Sequence, residues 1–206
     1  TEQGSKSHHC TKCGDKTDIA VIPLAEHTYV SKVVYPTYTE KGYIVHTCSV
    51  CGKSYNDSYT AKLTRPSVTG LRVVTRTYYS LVICWSQASS ADGYTVEKFN
   101  GTKWVSVAEI TDNKTTTCCI SDLNAATEYK LRVRAYAMSG TKKLYSSYNG
   151  TISAYTYPSA VTGLKLGGRA SNALRLNWNK NTSANGYIIE QYMSGKWVRI
   201  AKITSN

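Results

Sequence analysis

Apolar and polar residues alternate along the middle of the chain. Leu81, Ile83 and Trp85 recur at every second position of one such run, and residues 129–136 (YKLRVRAY) form another. Alternation with this period gives a β-strand one buried and one exposed face. About seven short runs separated by turn residues predict an antiparallel β-sandwich over residues 65–157. No segment shows a sustained helical period, so we predict an all-β fold.

The pattern of this sandwich occurs twice. Residues 68–73 (VTGLRV) return 93 positions later as residues 161–166 (VTGLKL). The same offset relates Trp85 to Trp178, Gly93 to Gly186, Tyr94 to Tyr187 and Trp104 to Trp197. A repeat of this length corresponds to a whole domain rather than to one unit of a solenoid. Tandem antiparallel β-sandwiches are therefore predicted, with residues 158–206 as the N-terminal part of the second.

The second copy matches the first only as far as its fourth strand. The counterparts of residues 118–157 would lie beyond Asn206. A half sandwich leaves apolar side chains and a sheet edge uncovered. We therefore expect either a longer native chain or a neighbouring chain that covers this face.

Several motifs carry a resemblance to a known family. Residues 68–71 (VTGL), Trp85 and residues 123–136 (LNAATEYKLRVRAY) together resemble a fibronectin type III domain. The resemblance implies that Trp85 is the tryptophan of the core and that Leu123 and Tyr129 form the tyrosine corner. The Arg-Gly-Asp tripeptide of integrin-binding members is absent from the sequence, so that activity is not implied.

The first 64 residues differ in kind, because they contain two Cys-x-x-Cys-Gly motifs, at residues 10–14 and 48–52. Each motif offers two thiolates from one tight turn, and a structural zinc ion takes four tetrahedral ligands. We predict a small zinc-ribbon-like β module over residues 1–64, followed by the sandwiches. The predicted ligands of one structural zinc ion are Cys10, Cys13, Cys48 and Cys51.

Two alternatives remain open for these cysteines. Disulfides are possible because they persist outside the cell, although matching motifs with matching glycines favour zinc. His27 or His46 could replace a thiolate as a metal ligand. If four thiolates fill the site, both histidines instead lie beside it or on the surface.

Three more cysteines belong to the first sandwich. Alternation places Cys118 toward the core and places Cys84 and Cys119 on the outer face. In the family that this region resembles, the two strands are neighbours, so Cys84 and Cys119 could face each other and form a disulfide. The alternative is unpaired thiols that pack as small apolar side chains.

The net charge of +12 is unevenly distributed. Residues 1–64 hold seven lysines against six acids, whereas residues 65–206 hold eighteen basic residues against seven acids. Lys130, Arg132 and Arg134 alternate with apolar residues, which predicts a basic, exposed strand face. Such a face can bind nucleic acid, anionic lipid or an anionic polymer, or it can serve only solubility. The balanced charge of residues 1–64 argues against nucleic acid as a partner of the zinc module.

The sequence predicts no enzyme, because it shows no phosphate loop, nucleophile motif or paired carboxylates. It also contains no apolar run long enough for a transmembrane segment. The combination of modules resembles non-catalytic regions of large surface proteins from Gram-positive gut bacteria. This implies an extracellular, secreted or cell-surface location and a spacer or adhesion role beside neighbouring domains of a longer chain. The expected partner is a cell-surface polymer, a glycan or a protein.

A glycan-binding accessory module of a secreted carbohydrate-active enzyme is the alternative function. Trp104 and Trp197 occupy the same position in both copies, each after a lysine. Exposed tryptophans at these positions would suit a sugar ring. The competing interpretation is that both tryptophans cover the edge of a sandwich.

Overall fold

The computed structural model describes residues 4–22 and 26–204. These residues form seventeen β-strands and no helix, which confirms the all-β fold class. Across the described ranges, no helix is long and apolar enough to span a membrane. The chain divides into two compact units, Thr1–Leu63 and Thr64–Asn206. The finer division into one zinc module and two sandwiches stays a prediction.

The first unit consists of a hairpin and a three-stranded antiparallel sheet. Its strands are β1 (Gly4–His9), β2 (Lys16–Ile22), β3 (Tyr29–Val34), β4 (Gly42–Cys48) and β5 (Ser54–Thr60). β1 pairs with β2, and β4 lies between β3 and β5. One Cys-x-x-Cys-Gly motif forms the turn between β1 and β2, and the other forms the turn between β4 and β5. β3 ends before Pro36, which has no N–H to donate to a ladder.

The first sandwich contains the next eight strands. They are β6 (Thr69–Arg76), β7 (Leu81–Ser86), β8 (Gly93–Phe99), β9 (Trp104–Ile110), β10 (Thr117–Ile120), β11 (Glu128–Ser139), β12 (Lys142–Tyr145) and β13 (Ile152–Tyr155). One sheet has the strand order β10-β7-β6, and the other has the order β12-β11-β8-β9, with β13 also paired to β11. A four-residue loop at Asn100 joins β8 to β9. The Asn100 side chain accepts backbone N–H bonds from Thr102 and Lys103 in this loop.

The core of this sandwich follows the predicted alternation. Leu81, Ile83 and Trp85 are buried against Tyr94 and the apolar residues of β11. The Trp85 and Tyr94 rings meet edge to face, with their centroids 5.3 Å apart. The Tyr94 hydroxyl is satisfied within the core, because it accepts the N–H of Ala88 and donates to a backbone carbonyl.

Steric crowding explains why glycine precedes the core tyrosine in both copies. A Cβ atom at Gly93 would overlap the carbonyl oxygen of Ile110 and the ring of Tyr136. At Gly186, a Cβ atom would overlap the carbonyl oxygen of Ile203 in the same way. Both glycines are therefore required by close approach of the neighbouring strand.

The second copy reproduces the first half of the sandwich. Its strands are β14 (Lys165–Arg169), β15 (Leu174–Asn177), β16 (Tyr187–Met193) and β17 (Lys196–Ile203), paired as β14-β15 and β16-β17. The Trp178 and Tyr187 rings meet at 5.2 Å, and the Tyr187 hydroxyl accepts the N–H of Asn181. These contacts repeat those of Trp85, Tyr94 and Ala88 at the 93-residue offset.

The cysteines of the first sandwich are all free thiols. Cys118 packs against the core and Cys119 is exposed, as alternation predicted. Burial and the neighbouring Cys119 raise the pKa of the Cys118 thiol. Cys84 lies opposite Thr117, and Cys119 lies opposite Val82. Cys84 and Cys119 are thus diagonal neighbours, typically about 7–8 Å apart at Cα, which is beyond the range that disulfides usually span.

The tyrosine corner provides a first test of the fold. The Tyr129 hydroxyl accepts the N–H of Asn124 at 2.8 Å, next to the buried Leu123. Tyr129→Phe should therefore lower the free energy of unfolding by about 1 kcal/mol. The exposed Tyr155 offers a matched control, because Tyr155→Phe should change it by less than about 0.5 kcal/mol. Equal effects of the two variants in denaturant unfolding would contradict the structural role of the Tyr129 hydroxyl.

Candidate metal centre and charged sheet face

The two Cys-x-x-Cys-Gly turns have the same backbone hydrogen bonds. In the first turn, the Gly14 N–H donates to the Cys10 carbonyl at 3.0 Å. In the second turn, the Gly52 N–H donates to the Cys48 carbonyl at the same distance. Both glycines have positive φ, 78° and 72°, which a side chain would disfavour. The sequence repeat is therefore a repeat of local structure.

Three side chains of types that can bind metals converge at the second turn. The His27 Nδ1 atom lies 3.2 Å from the Cys48 sulfur and 3.4 Å from the Cys51 sulfur. The three donor atoms all lie within 4.8 Å of one another. Cys48 is 1% exposed, whereas the side chains of Cys51 and His27 reach solvent. This arrangement is a possible metal-binding group.

Strand register places His27 beside the thiols. Tyr29, the first residue of β3, pairs with Cys48 at the end of β4. The Ser49 N–H donates to the Thr28 carbonyl at 2.9 Å and extends the pairing by one step. His27 lies two residues before Tyr29 and therefore on the same face as Tyr29 and Cys48.

The electrostatics of this turn favour a thiolate. The backbone N–H groups of Cys51 and Val50, together with the His27 imidazole, lower the pKa of Cys48 to about 6. Burial raises the pKa of the neighbouring Tyr29, and the charges of Cys48, Tyr55 and Cys51 raise it further. The turn therefore stabilises negative charge on sulfur, the form in which sulfur binds metals.

The structure separates the four predicted zinc ligands into two pairs. Cys48 and Cys51 belong to the group with His27, whereas Cys10 and Cys13 lie together in the first turn and outside that group. A hydrogen bond between their side chains is the largest factor that lowers the pKa of Cys10. The Cys13 sulfur also lies 3.4 Å from an Asp15 carboxylate oxygen. The four-cysteine zinc site remains a prediction. His27, which the sequence left as an alternative ligand, lies beside two of the four cysteines.

The contact between Cys48 and His27 is also the pairing that activates a nucleophilic thiol. A nucleophile must reach its substrate, and Cys48 is almost wholly covered. The second thiol, at a similar distance from the same ring nitrogen, has no role in that chemistry. Both features fit a metal-binding group better than a catalytic pair.

A second polar cluster lies on the same sheet and was not found from the sequence. The His46 Nδ1 atom is 2.8 Å from the Ser31 hydroxyl, and its Nε2 atom is 3.0 Å from an Asp57 carboxylate oxygen. Ser31 and His46 are cross-strand partners, and Tyr55 stacks on the imidazole at 4.8 Å. The hydrogen bond from His46 is the main cause that lowers the pKa of Asp57. The three residues are 15 and 11 positions apart in the sequence and come together only through the pairing of β4 with β3 and β5. The sequence therefore shows no sign of this cluster.

The basic strand face of the first sandwich is more enclosed than the sequence predicted. Glu97, in β8, is 8% exposed on the outer face of its sheet. The Arg132 Nε atom donates to its carboxylate at 2.7 Å, and the Tyr148 hydroxyl donates to the same oxygen at 2.6 Å. Arg134 approaches the other carboxylate oxygen at 3.6 Å. The arginine side chains are consequently only 20% and 26% exposed, which corrects the expectation of an exposed face for these two residues, whereas Lys130 is exposed as predicted.

Aromatic rings complete this layer. The Arg132 guanidinium lies 4.1 Å from the Trp104 ring centroid and 3.6 Å from that of Tyr148. Arg134 lies 3.8 Å from the Tyr145 ring centroid. Burial by itself would raise the pKa of Glu97, but the bonds from Tyr148 and Arg132 and the two arginine charges outweigh it and lower that pKa. A carboxylate is thus held ionised beneath two guanidinium groups.

The two repeated tryptophans have different surroundings. Trp104 is half-buried against Arg132 and Phe99, so it covers the sheet as the competing interpretation proposed. Trp197 is 67% exposed and contacts Tyr192 edge to face at 5.3 Å. Trp197 is therefore the more exposed of the two rings, and the counterpart of Arg132, which covers Trp104, would lie beyond Asn206.

Comparison with known proteins supports one of the predicted modules. Residues 66–151 match the family model of the fibronectin type III domain, which supports one fibronectin type III domain in this part of the chain. Receptor-type tyrosine-protein phosphatase eta of Mus musculus is 28% identical over 97 residues, which are 41% of this chain and 8% of the phosphatase. The chain therefore spans only a small part of that relative.

Solved structures that match part of this chain include one described as "Myokine structure" and one described as "Crystal Structure of FN3tt". The first is 19% identical with a TM-score of 0.38, over 46% of this chain and 99% of that chain. The second is 21% identical with a TM-score of 0.39, over 46% of this chain and 97% of that chain. Fibronectin type III domains are common in extracellular regions, where they serve as spacers or interaction modules and are typically non-catalytic.

Proposed function

We propose that this chain is a non-catalytic, extracellular region that serves as a spacer or an adhesion module of a secreted or cell-surface protein. One observation carries the proposal, the repetition of one sandwich architecture at an offset of 93 residues with the Trp-Tyr core contact preserved. Repeated modules suit spacing and multivalent contact, because each copy adds length and a further binding surface. The proposed partner is a cell-surface polymer, a glycan or a protein.

A binding screen combined with an activity screen tests this proposal. If the chain is an adhesion module, the purified protein should bind immobilised glycans or an anionic cell-wall polymer. If it is a spacer, it should bind neither and should form an extended particle in small-angle X-ray scattering. It should not hydrolyse chromogenic esters, phosphates or glycosides. Hydrolysis that is lost in Ser31→Ala or Cys48→Ser would contradict the proposal, since these residues belong to the two clusters with potential catalytic geometry.

Glycan binding by the second copy is a second candidate, because Trp197 presents an exposed ring beside Tyr192. If it is correct, Trp197→Ala should abolish glycan binding. Trp104→Ala should leave it unchanged, because Arg132 already covers that ring. An equal loss in both variants would exclude the exposed ring as the cause.

A structural zinc ion in the first unit is part of the proposal. Cys48 is the one buried apolar side chain among the described residues of this unit, so its sheet has little core of its own. Small folds of this kind commonly depend on a metal or on disulfides. The candidate ligands are Cys10, Cys13, Cys48 and Cys51, together with His27.

Zinc removal gives a direct prediction. Protein purified without chelator should contain about one zinc per chain, as a single zinc site requires. Chelation should then increase amide hydrogen exchange in β4 and β5 by more than tenfold, with β7 and β11 unchanged. Disulfides among the four cysteines, or exchange that does not respond to chelator, would refute a structural zinc.

A further inference from the structure

The group of His27, Cys48 and Cys51 differs from the four-cysteine site in two ways. It contains an imidazole, and it has three donors rather than four. It supplies two sulfurs and one imidazole nitrogen, from Cys48 at the end of β4, Cys51 in the turn that follows and His27 just before β3. It needs no contribution from the turn that contains Cys10 and Cys13. The structure therefore offers a set of donors that excludes two of the four cysteines predicted from the motif spacing.

The distances within this group fit a tetrahedral zinc ion. Zinc binds sulfur at about 2.3 Å and imidazole nitrogen at about 2.0–2.1 Å, so such ligands lie roughly 3.5 Å apart in a tetrahedral site. The observed separations from His27 Nδ1 are 3.2 Å to Cys48 and 3.4 Å to Cys51. Thiolate and imidazole together select zinc over calcium or magnesium, which prefer oxygen ligands.

The surrounding backbone fixes all three donors. The Cys48 N–H donates to the Lys53 carbonyl at 2.9 Å, and the Gly52 N–H closes the turn onto the Cys48 carbonyl. Ser49 holds the segment next to His27 through two bonds to the Thr28 carbonyl, one from its N–H and one from its hydroxyl at 3.2 Å. These contacts hold the backbone of the thiol-bearing turn and the segment next to His27.

The exposure of the donors shows which side of the site is open. Cys48 is buried, but Cys51 and His27 are both exposed. A metal ion held by the three donors would therefore retain one side toward solvent. Three protein ligands with one open position define a zinc site that can exchange its fourth ligand.

We propose that His27, Cys48 and Cys51 are the protein ligands of a zinc ion whose fourth ligand is an exchangeable water. Cys10 and Cys13 are not ligands of this ion. The inference rests on the zinc of the proposed function and deepens it, because it names the ligands and adds an open position for a small thiol or an anion.

Metal affinity of matched variants tests the ligand set. His27→Ala should weaken zinc binding by more than the roughly 10–100-fold caused by losing an outer hydrogen-bond partner. His27→Cys should restore binding, which separates loss of a ligand from loss of the fold. The double variant Cys10→Ser/Cys13→Ser and the control His9→Ala, which removes an imidazole from β1, should stay within about threefold of the parent.

X-ray absorption and cobalt substitution test the coordination shell itself. Zinc should show two sulfurs and two nitrogen or oxygen ligands, and the visible spectrum of the cobalt form should shift when a small thiol is added. Four sulfurs, an unresponsive spectrum, or a loss of binding in the Cys10/Cys13 variant but not in His27→Ala would overturn the ligand set while leaving zinc in place. A parent protein without stoichiometric zinc would instead refute the proposed zinc, and the ligand set with it.

Discussion

Replacing Glu97 with glutamine is expected to lower the free energy of unfolding of the first sandwich by about 3 kcal/mol. The loss arises because the substitution removes one charge and leaves Arg132 and Arg134 enclosed without a counter-charge. Breaking a buried ion pair from one side typically costs about 3–5 kcal/mol, and partial exposure of the arginines places this case at the lower end. Denaturant unfolding followed by amide hydrogen exchange in β8 and β11 measures the change.

The second copy supplies the control for this prediction. Glu190 occupies the position of Glu97 at the 93-residue offset, but it is exposed. Glu190→Gln should change the free energy of unfolding by less than about 0.5 kcal/mol. Similar effects of the two substitutions would show that the enclosed layer does not stabilise the sandwich.

The same carboxylate gives a pH dependence with a defined sign. The pKa of Glu97 is lower in the folded state than in the unfolded chain, where it is about 4.3. Its contribution to stability is therefore complete above about pH 4.3 and is lost as the pH falls through the folded pKa. Glu97→Gln should lack this acid-dependent increment, whereas Glu190→Gln should retain it.

Replacing Leu81 with alanine should lower the free energy of unfolding by a similar amount. Leu81 is 0% exposed in the core, and Leu→Ala at such positions costs about 2.7–5 kcal/mol through lost burial and a residual cavity. The matched substitution is Leu174→Ala, at the same strand position of the second copy. Leu174 is 68% exposed in this structure, so in the 206-residue chain by itself its truncation should cost less than about 0.5 kcal/mol, and more where a longer or neighbouring chain covers this face.

The Leu81 and Leu174 pair can be compared in a single experiment. Amide exchange of β7 reports on Leu81→Ala, and exchange of β15 reports on Leu174→Ala. A large effect at β15 would mean that the face around Leu174 is covered in solution. A small effect at β7 would contradict the assignment of the core.

Strand alternation was enough to predict the inward side chains of the first sandwich. Trp85 and Cys118 face the core because period-two patterning depends only on neighbouring residues. The tyrosine corner, which the resemblance to fibronectin type III domains implied, is present as well, with the Tyr129 hydroxyl bonded to the N–H of Asn124. The inward-facing side chains of this sandwich could therefore be predicted from local patterns.

The sites were harder to foresee, because each depends on register between distant segments. His27 meets Cys48 only through the pairing of β3 with β4, across 21 residues. Glu97 meets Arg132 across 35 residues and Tyr148 across 51. The available signal was the single glutamate of β8, together with two arginines at alternate positions of β11. Its meaning required knowing that β8 pairs with β11.

The enclosed arginine layer changes how the formal charge of the chain should be understood. Arg132 and Arg134 share a carboxylate, and Lys143 is paired with Glu109. Bases that are already neutralised within the fold are not available to neutralise charges of a polyanion, so they release none of the counterions condensed on it. The salt dependence of binding to an anionic polymer should therefore be shallower than eighteen basic residues would suggest. Electrostatic attraction to this molecule is set by the bases left outside its folded carboxylate pairs.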